Sequence, residues 1–412
     1  MSRTSLDSVA DAELSASGPK PSTLIRACML SFYFHPNYSG SSIQAFNLSQ
    51  KLRSHGVDPF IVSANLSNGP AHEVIDGISL YRLPVARADD WQIPSFSVAA
   101  ARFLFSKRKG FDLIHAHGTV QHGVASMVGR LLGKPTILKV AMMGSDLGFE
   151  GQGRVTGRLN KLLVSRFDQY IATTAGIASE FADRGLDAKK VALIPNGVDT
   201  GVFAPVSPEN KRAIRRDLGL PEGPIVACVA IINERKNIDG ALRIWREIVK
   251  KGLAGHLIFV GPVHVPGGPF ERQLQAFIRD NGLAERVSLL GRRDRVDLYL
   301  QASDVFLFPS RQEGMPNGVL EAMSTGLPCL VSQSSGLERI IQHGVNGFAM
   351  EISNEGQFVD VLGRVLQNDS LRQALGGNAR DTIERLFSLD TVAKRYRALY
   401  DQLLCRSSPS AG

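Results

Sequence analysis

Glu313 and Glu321 are two glutamates with seven residues between them, in the segment RQEGMPNGVLEAMSTGLP that spans 311–328. Glutamate is so common that about one such pair is expected by chance in a chain of this length. The context is more informative. The segment follows DVFLFPS, an apolar run typical of a buried strand, and Pro316 stands where a helix would begin. The pattern therefore predicts one carboxylate in a loop beyond a strand and the other inside the following helix.

A helix with Pro316 at its first position would leave backbone N–H groups unpaired at its start. We expect the amides from about Gly314 to Val319 to form an anion site suited to phosphate, because the positive end of the helix dipole lies there. Glu321, about one turn further in, could accept two hydrogen bonds from a diol such as a ribose. On this segment alone the alternative stays open, in which Glu313 caps a helix and Glu321 lies on a solvated face.

The elements that position these residues alternate between short apolar runs and helical stretches, which is typical of parallel βαβ units. In the first half the predicted strands are STLIRACMLSFYF, DPFIVSA, DLIHAH, KPTILKVA and QYIATT, separated by stretches such as SSIQAFNLSQKLRSHG and GVASMVGRLLG. In the second half they are PIVACVAII, AGHLIFVG, RVSLLG, DVFLFPS and LPCLVS. We predict an α/β fold of two doubly wound, Rossmann-like domains, with the ligand in the cleft between them.

The segment VALIPNGVDTGVFAPVSP has no helical period and predicts the domain boundary. Ser207 and Pro208 then make a good N-cap and first-turn pair for the next helix. The stretch from GQFVDVLGRVLQ to TVAKRYRALYDQLL is predicted to be helical throughout. The predicted divisions are a disordered tail (1–22), a first domain on the acceptor side (23–200), a second domain that binds the donor (201–385), and a C-terminal helix and tail that pack back toward the first domain (386–412).

Composition excludes several classes of protein. The 412 residues are 43% apolar and 21% charged, which is ordinary for a globular protein with two domains. The four cysteines are far apart, and three lie in apolar runs, so we expect reduced, buried thiols and a cytoplasmic protein. No apolar run approaches the ~18 residues that span a bilayer, and the N-terminus lacks the apolar core of a signal peptide.

The net charge of +8 is compatible with a nucleic acid, an anionic membrane or a phosphorylated small molecule as partner, and also with a merely solvated basic surface. Aromatic residues make up only 7% of the chain, and no zinc-finger or RNA-recognition pattern is present. We therefore expect no nucleic-acid partner.

The segment around Glu313 and Glu321 resembles the E-x7-E signature of glycosyltransferase family 4, which comprises retaining enzymes of the GT-B fold. Further segments match the family in order: DLIHAHG, KVALIPNGVDTGVF, the run from VSLLGRR through DLYLQASDVFLFPS to LPCLVS, and GLERIIQHGVNGF. The resemblance covers nearly the whole chain after the first twenty-odd residues. Each match is weak by itself, whereas the ordered set is specific.

The resemblance implies roles for particular residues. Glu313 resembles the carboxylate that contacts donor-sugar hydroxyls, and Glu321 the one that holds the nucleotide ribose. Lys236 matches the lysine that neutralises the diphosphate leaving group, which is sensible because charge builds there as the glycosidic bond breaks. Without its context Lys236 would be read as a solvated loop lysine. The segment around the donor sugar and diphosphate comprises Gly314, Met315, Pro316, Asn317, Gly318 and Val319.

Two further segments match the first half of the family. His117 matches a histidine near the reaction centre, and His115 lies on the same side of that strand, where a structural role is the alternative. A metal site formed by His115, His117 and His122 would lack cysteine or carboxylate partners, so we expect no metal. Gly40, in HPNYSGSS, corresponds to a glycine-rich loop whose backbone approaches the donor phosphate and the acceptor; the dinucleotide pattern G-x-G-x-x-G is absent.

The sequence departs from the family at three places. Ile231, read as part of a strand, stands where an arginine usually precedes the diphosphate lysine by five residues. Arg235 is a candidate replacement for that charge, and weaker affinity for the leaving group is the alternative. Ser39 and Gly40 replace two adjacent glycines, and KVAMMGSDLG has methionines where many relatives carry a histidine.

The stretch IPSFSVAAARFLFSKRKG, at 93–110, combines an apolar helical face with Lys107, Arg108 and Lys109. Such a stretch could rest on the anionic inner face of a membrane, which would suit a lipid-linked acceptor. The alternative is a core-packed helix with a solvated basic end.

The resemblance implies a retaining glycosyltransferase that moves a sugar from a UDP- or GDP-sugar to a glycan, lipid-linked or small-molecule acceptor without cofactor or metal. Retention would proceed by same-face attack, with neither glutamate as a covalent nucleophile. One alternative is a non-catalytic nucleotide-sugar-binding subunit, for which Ile231 is the supporting feature. Another, a GT-B phosphorylase or epimerase, lacks an obvious pyridoxal lysine or additional acid–base group.

Overall fold

Two mainly parallel β-sheets organise the chain. The computed structural model describes residues 24–36, 39–118, 123–140, 158, 161–333, 337 and 340–407. The strands of the first sheet are β1 (Ile25–Ser31), β2 (Val57–Ala64), β3 (His72–Ile75), β4 (Ile78–Leu83), β5 (Leu113–His117), β6 (Thr136–Val140), β7 (Gln169–Ala172) and β8 (Val191–Leu193). They lie in the order β3-β4-β2-β1-β5-β6-β7-β8, and only β3 pairs antiparallel among these described strands.

The described helices that connect these strands are α1 (Gly40–Arg53), α2 (Asp89–Ser106), α3 (Gly123–Leu132) and α4 (Ala175–Asp183). The central strands β1, β5, β6 and β7 are almost entirely buried, because helices cover both faces. The outer strands β3 and β8 are not buried. One face contributes to a core with α2 and α3, and the other packs against α1 and the last helix of the chain. The sheet is therefore doubly wound, as predicted.

The second sheet has six parallel strands in the order β11-β10-β9-β12-β13-β14. They are β9 (Ile225–Val229), β10 (His256–Val260), β11 (Val287–Leu289), β12 (Val305–Phe308), β13 (Cys329–Ser332) and β14 (Gly347–Met350). The described helices that follow the first sheet are α5 (Pro208–Asp217), α6 (Ile238–Lys250), α7 (Pro269–Asp280), α8 (Val296–Gln301), α9 (Asn317–Ser324), α10 (Glu355–Gln367), α11 (Asp369–Leu386) and α12 (Leu389–Ser407).

Most predicted elements are confirmed. Each predicted strand is present, and the Ser207 hydroxyl caps α5 by accepting from the Asn210 amide at 3.2 Å. The β3–β4 hairpin, β8 and β14 were not predicted. The prediction that the C-terminal stretch is helical is confirmed, and it forms the three helices α10, α11 and α12. A first break lies at Asn368, which adopts an extended conformation and whose side chain caps α11. A second break precedes Leu389. The predicted domain limits stay a prediction.

The last helix, α12, returns to the first sheet. Its buried side chains enter one core with β1, β2, β5 and α1; on α12 they are Val392, Ala393, Tyr396, Leu399, Tyr400 and Leu403. Arg397 adds polar contacts, since its guanidinium donates to the backbone oxygens of His55 and Gly56, which follow α1. The C-terminal end of the chain is thus part of the core beneath the first sheet.

A small polar cluster is buried in this core. Nδ1 of His115 lies 2.7 Å from the Tyr400 hydroxyl, and the ring of Tyr396 packs beside them. Burial, assisted by the nearby charge of Lys139, holds the pKa of His115 well below its usual value, so the Tyr400 hydroxyl meets a neutral imidazole. Within the described part of the chain the Tyr396 hydroxyl has no hydrogen-bond partner. We therefore expect the hydroxyls of Tyr396 and Tyr400 to contribute differently to the stability of the fold.

We predict that Tyr400→Phe lowers the free energy of unfolding by about 1–3 kcal/mol, because it leaves a buried nitrogen of His115 without its partner. Tyr396→Phe is the matched control and should be neutral or stabilising, since it removes a buried hydroxyl that donates to no described residue. Chemical denaturation of the two variants measures the difference. Equal losses for both would show that the His115–Tyr400 hydrogen bond contributes nothing specific.

Candidate active site

Two loops at the carboxyl ends of neighbouring strands bring Arg235, Lys236 and Glu313 together. β9 and β12 pair directly, and the loop after each carries one side of the contact. Nζ of Lys236 lies 2.5 Å from Oε1 of Glu313, and Nη1 of Arg235 lies 3.1 Å from the same oxygen. The Ser310 hydroxyl donates to this oxygen at 2.6 Å. One buried carboxylate oxygen therefore faces two cations and a hydroxyl.

Local turn chemistry fixes the position of Lys236. It ends a 3₁₀ turn whose N-cap is Asn233, and the Asn233 side chain accepts from the Lys236 amide at 3.1 Å. Asn237 follows with a left-handed backbone (φ 55°), which asparagine tolerates better than most residues. Its side-chain amide donates to the Pro309 oxygen at 3.0 Å and so ties the turn to the loop after β12.

The pKa of Lys236 reflects the burial of its side chain. Its ammonium lies 5.1 Å from the ring centroid of Phe308, and its side chain is nearly buried. Burial lowers the pKa of Lys236 below its ordinary value, and the ion pair with Glu313 offsets only part of that shift. A second anion at this place would favour the charged form of the lysine.

Helix α9 begins beside this cluster, and several backbone donors at its start have no partner among the described residues. Pro316 is its N-cap, with extended backbone (φ −72°, ψ 117°), so the prediction that it occupies the first helical position is wrong by one residue. The Val319 amide donates to the Pro316 oxygen at 3.2 Å and is therefore not available as an anion donor, contrary to the prediction. The amides of Gly314, Met315, Asn317 and Gly318 donate to no described residue.

The glycine at 318 lets α9 approach the sheet. A Cβ atom at this position would lie 2.8 Å from the Val229 backbone oxygen at the end of β9. Only glycine therefore allows the start of α9 to pack against β9 without a shift of backbone, and this packing sets the amides of α9 beside Lys236.

Glu321 lies one turn inside α9 and is partly buried. Its carboxylate makes no hydrogen bond or ion pair with any residue that the structure describes. Burial raises the pKa of Glu321 to about 7. A carboxylate left without partners in such a place opposes folding, so its presence is better explained by a ligand that supplies donors.

His117 ends β5 and is in register with Ser31 of β1 and Lys139 of β6. Its ring lies 4.0 Å from that of His115, centroid to centroid, and both are buried. His115 is held by Tyr400, which favours the structural alternative for that residue. His122 lies outside the described residues. Across the described residues no three histidine, cysteine, aspartate or glutamate side chains are grouped as a metal site would require.

Gly40 is the first residue of α1. Ser39 caps this helix: its hydroxyl accepts from the Ser42 amide at 3.2 Å, while the Ser42 hydroxyl accepts from the Ser39 amide at 2.8 Å. The backbone oxygen of Gly40 accepts from the side-chain amide of Asn317 at 3.3 Å, so the starts of α1 and α9 meet across the cleft. Residues 37–38 and the methionine segment 141–150 lie outside the described residues.

Several residues at the site were not predicted from the sequence. Ser310 binds Glu313, and Gln44 and Asn196 both contact Asn317. Gln44 and Asn196 were missed because their partner Asn317 is distant in sequence. Ser310 lies only three residues before Glu313, but nothing in that spacing indicated a hydrogen bond. Ile231 was predicted to lie in a strand; β9 ends at Val229, and Ile231 is 41% exposed beyond it.

Two family models match the chain and together cover most of it. "Glycosyl transferases group 1" matches residues 210–382, and "Glycosyl transferase 4-like domain" matches residues 39–197. The chain therefore belongs to the glycosyltransferases of family 4, and its two sheets are the two halves of the GT-B fold. It is a glycosyltransferase, and the comparisons give no support to the non-catalytic alternative.

The relatives are distant but match over most of their length. N-acetyl-alpha-D-glucosaminyl L-malate synthase of Bacillus anthracis is 21% identical, covering 90% of this chain and 96% of that protein. UDP-Gal:alpha-D-GlcNAc-diphosphoundecaprenol alpha-1,3-galactosyltransferase of Escherichia coli is 28% identical, covering 81% and 86%. Among solved structures, HepE of Anabaena in complex with UDP and glucose has a TM-score of 0.76 at 17% identity, covering 92% of this chain and 100% of that one.

The raised pKa of Glu321 predicts a pH-dependent stability in the absence of ligand. The folded state holds this proton more tightly than the unfolded state, whose ordinary value is 4.5, so stability is lost as pH rises from 4.5 through about 7. Glu321→Gln removes this loss. We expect its melting temperature to match the wild type near pH 4.5, to exceed it increasingly toward pH 7, and to level off above that.

Glu313→Gln is the matched control for thermal melts across this pH range. This substitution removes the negative charge that pairs with Lys236 and Arg235, so it should lower the melting temperature at neutral pH. A Glu321→Gln variant that is less stable than the wild type at pH 8 would contradict the assignment of Glu321 as an unpartnered carboxylate.

Proposed function

We propose that this glycosyltransferase retains the anomeric configuration and takes its sugar from a UDP- or GDP-sugar bound at the start of α9. The observation that carries the proposal is the juxtaposition of three features: the Arg235–Lys236–Glu313 cluster, the unpaired amides of α9, and the unpartnered Glu321. Cations, oriented amides and a carboxylate are the groups that a diphosphate and a ribose require.

The donor would lie along α9. The amides of Gly314, Met315, Asn317 and Gly318 receive the diphosphate, and Glu321 accepts from the ribose hydroxyls one turn further on. Lys236 and Arg235 neutralise the charge that builds on the diphosphate as the glycosidic bond breaks. Because these groups are held in place before reaction, little reorganisation is needed in the transition state.

Glu313 contacts the donor sugar rather than attacking it. One of its oxygens is already occupied by Lys236, Arg235 and Ser310, which suits a carboxylate that orients a sugar better than a free nucleophile. Retention then follows from attack by the acceptor hydroxyl on the face from which the diphosphate leaves. The new C–O bond forms as the old one breaks, and the departing phosphate oxygen takes the acceptor proton. We assign His117, at the carboxyl end of β5, to the acceptor side.

The activities named for the relatives support a nucleotide-sugar donor and two kinds of acceptor. The Escherichia coli enzyme is named for UDP-Gal and a diphosphoundecaprenol acceptor, the Bacillus anthracis enzyme for L-malate, and HepE was solved with UDP and glucose. We propose an acceptor of either the lipid-linked or the small-molecule kind, or a glycan. No metal or other cofactor is part of the proposed reaction.

Transfer assays with UDP- and GDP-sugars test the proposal. Proton NMR of the product, or of the sugar released when water is the acceptor, should show the donor's anomeric configuration immediately after reaction. An inverted product would overturn the same-face mechanism. Binding of UDP and GDP without turnover of any sugar nucleotide would overturn the proposed reaction while leaving the donor site intact.

We predict that Lys236→Ala lowers kcat by roughly 100–1,000-fold, because preorganised charge at the leaving group is lost. If Arg235 replaces the missing family arginine, Arg235→Ala is also severe, and Ile231→Arg added to it restores part of the rate. The exposure of Ile231 leaves room for an arginine. Steady-state rates of the single and double variants measure these effects.

Arg272→Ala, which removes an exposed arginine on α7, is the control and should leave the rate unchanged. A mild effect of Arg235→Ala together with no rescue by Ile231→Arg would assign leaving-group stabilisation to the amides of α9. Near-normal turnover of Lys236→Ala would show that the diphosphate binds elsewhere.

A lipid-linked acceptor is favoured by the surface of α2. One face of α2 is in the core, through Phe96, Ala100 and Leu104, so the core-packed alternative holds for that face. The opposite face nonetheless exposes apolar side chains, with Trp91 65% and Val98 62% exposed. The neighbouring α3 exposes Met127 and Leu131, and the basic residues Lys107, Arg108 and Lys109 follow the end of α2.

We propose that this surface, formed by α2, the outer face of α3 and residues 107–109, rests on an anionic membrane. Apolar side chains bordered by lysine and arginine fit the interface between acyl chains and acidic headgroups. Of the described helices, none combines the length and apolar character needed to cross a bilayer. The contact would therefore be peripheral.

We predict that Lys107→Gln, Arg108→Gln and Lys109→Gln together weaken binding to phosphatidylserine vesicles by about 1 kcal/mol per charge. The control variant removes three exposed charges from the second domain, at Lys250, Lys251 and Arg279, and should bind as the wild type does. Vesicle sedimentation measures both. Equal binding by the two triple variants would show that Lys107, Arg108 and Lys109 do not contact the membrane and form only a solvated end of α2.

A further inference from the structure

Three amide side chains meet where α1, α9 and the segment after β8 converge, and we call Gln44, Asn196 and Asn317 the amide triad. Oδ1 of Asn317 accepts from Nε2 of Gln44 at 3.1 Å and from Nδ2 of Asn196 at 3.0 Å. Nδ2 of Asn317 donates to the Gly40 oxygen at 3.3 Å. The side chain at the start of α9 therefore bonds across the cleft instead of capping its own helix.

Backbone contacts fix the orientation of the other two amides. Gln44 donates to the Gly197 oxygen at 3.1 Å and accepts from the Gly197 amide at 3.3 Å. Asn196 donates to the Met315 oxygen at 3.3 Å, and its own backbone amide faces the Met315 sulfur at 3.0 Å. Because each amide has a backbone partner, neither can rotate by 180° without breaking a bond. The triad thus has one hydrogen-bonding arrangement.

Burial makes the loss of any hydrogen bond in the triad costly. Gln44 and Asn196 are each 3% exposed, so water cannot replace a lost partner. The triad also joins three segments that are far apart in sequence. These are the first turns of α1, the segment where the chain passes from the first sheet to the second, and the first residue of α9. The Asn196 side-chain oxygen already has no partner among the described residues. A displacement of α1 relative to α9 would break at least one further hydrogen bond of a buried amide.

We infer that the amide triad is a positioning device for the transfer reaction, in which Gln44 and Asn196 hold the start of α9 in register with the start of α1. This inference rests on the proposed function, because it assigns the diphosphate to those helix starts. The amides of Gly40 and Ser41 at the start of α1 donate to no described residue, as do those of Gly314, Met315, Asn317 and Gly318. With the triad intact, both groups of donors lie beside the contact between Asn317 and Gly40.

The proposed transfer reaction requires that the starts of α1 and α9 keep this relative position. The acceptor approaches from the first domain and the donor lies on the second, so the attacking oxygen and the anomeric carbon are positioned by different domains. Misplacement by about 1 Å can cost on the order of 100-fold in rate. Gln44 touches neither substrate in this arrangement and acts through Asn317, so it is a positioning residue.

The test is a double-mutant cycle with Gln44→Ala and Asn317→Ala, read by UDP and GDP affinity in calorimetry and by kcat and KM with the corresponding sugar nucleotide. We expect Gln44→Ala to lower kcat by about 10-fold and to weaken nucleotide binding by only a few-fold, since the donors on α9 remain. The double variant should be no worse than the more severe single variant, because both break the same contact. Gln50→Ala, at an exposed glutamine of α1, is the matched control and should equal the wild type.

Gln44→Glu provides a second variant if the alanine variant folds poorly. It keeps the size of the side chain and its acceptor toward the Gly197 amide, but it cannot donate to Asn317 when ionised, so it should reproduce the loss in kcat. Two results would overturn the inference. In the first, the losses in kcat from Gln44→Ala and Asn317→Ala multiply in the double variant. In the second, Gln44→Ala lowers the melting temperature but leaves kcat at low temperature normal. The nucleotide-affinity cycle needs no turnover, so it tests the triad even if the proposed reaction were wrong.

Discussion

The contact between Lys236 and Glu313 is the interaction on which the site depends. Each residue follows a central strand of the second sheet, and neither is stable in its buried place without the other, because an isolated buried charge is costly. The turn at Asn233 and Asn237, the hydroxyl of Ser310 and the glycine at 318 all serve to bring this pair beside the start of α9. The cations are thus held in place by the fold itself, at a cost in stability that the surrounding hydrogen bonds offset.

The site also retains groups that the protein leaves unsatisfied. Glu321 and the first amides of α9 find no partner among the described residues, although elsewhere in the same domain a buried carboxylate such as Asp304 is bound by Lys211, Arg215 and the Ile225 amide. The same domain therefore supplies partners to the carboxylate of Asp304 and none among its described residues to that of Glu321. Unmet hydrogen-bonding capacity in neighbouring groups is a stronger indication of a ligand than the spacing of Glu313 and Glu321 alone.

The sequence predicted the fold well because its signals are local. Alternating apolar runs and helical stretches gave the strands and the double winding, and the Ser207–Pro208 cap was predicted correctly, since each depends on neighbours along the chain. The β3–β4 hairpin was missed because β3 is a short edge strand whose residues are mostly exposed. The site was predicted only as far as motifs reach. Glu313, Glu321 and Lys236 lie in patterned segments, whereas Gln44 and Asn196 act through Asn317, whose proximity only the folded chain reveals.

The return of α12 to the first sheet has a consequence for how the protein is made. The core that α12 shares with β1 and α1 joins Ile25 to Leu403, which are far apart in sequence. During synthesis, at roughly 5–20 residues per second, the face of the first sheet that α12 covers stays open until α12 has left the ribosome. The second domain, whose core contains no residue from β1 to β8, can close before that. The half of the protein that is translated first is therefore the half that completes its folding last, and it has the longer exposure to chaperones and to aggregation.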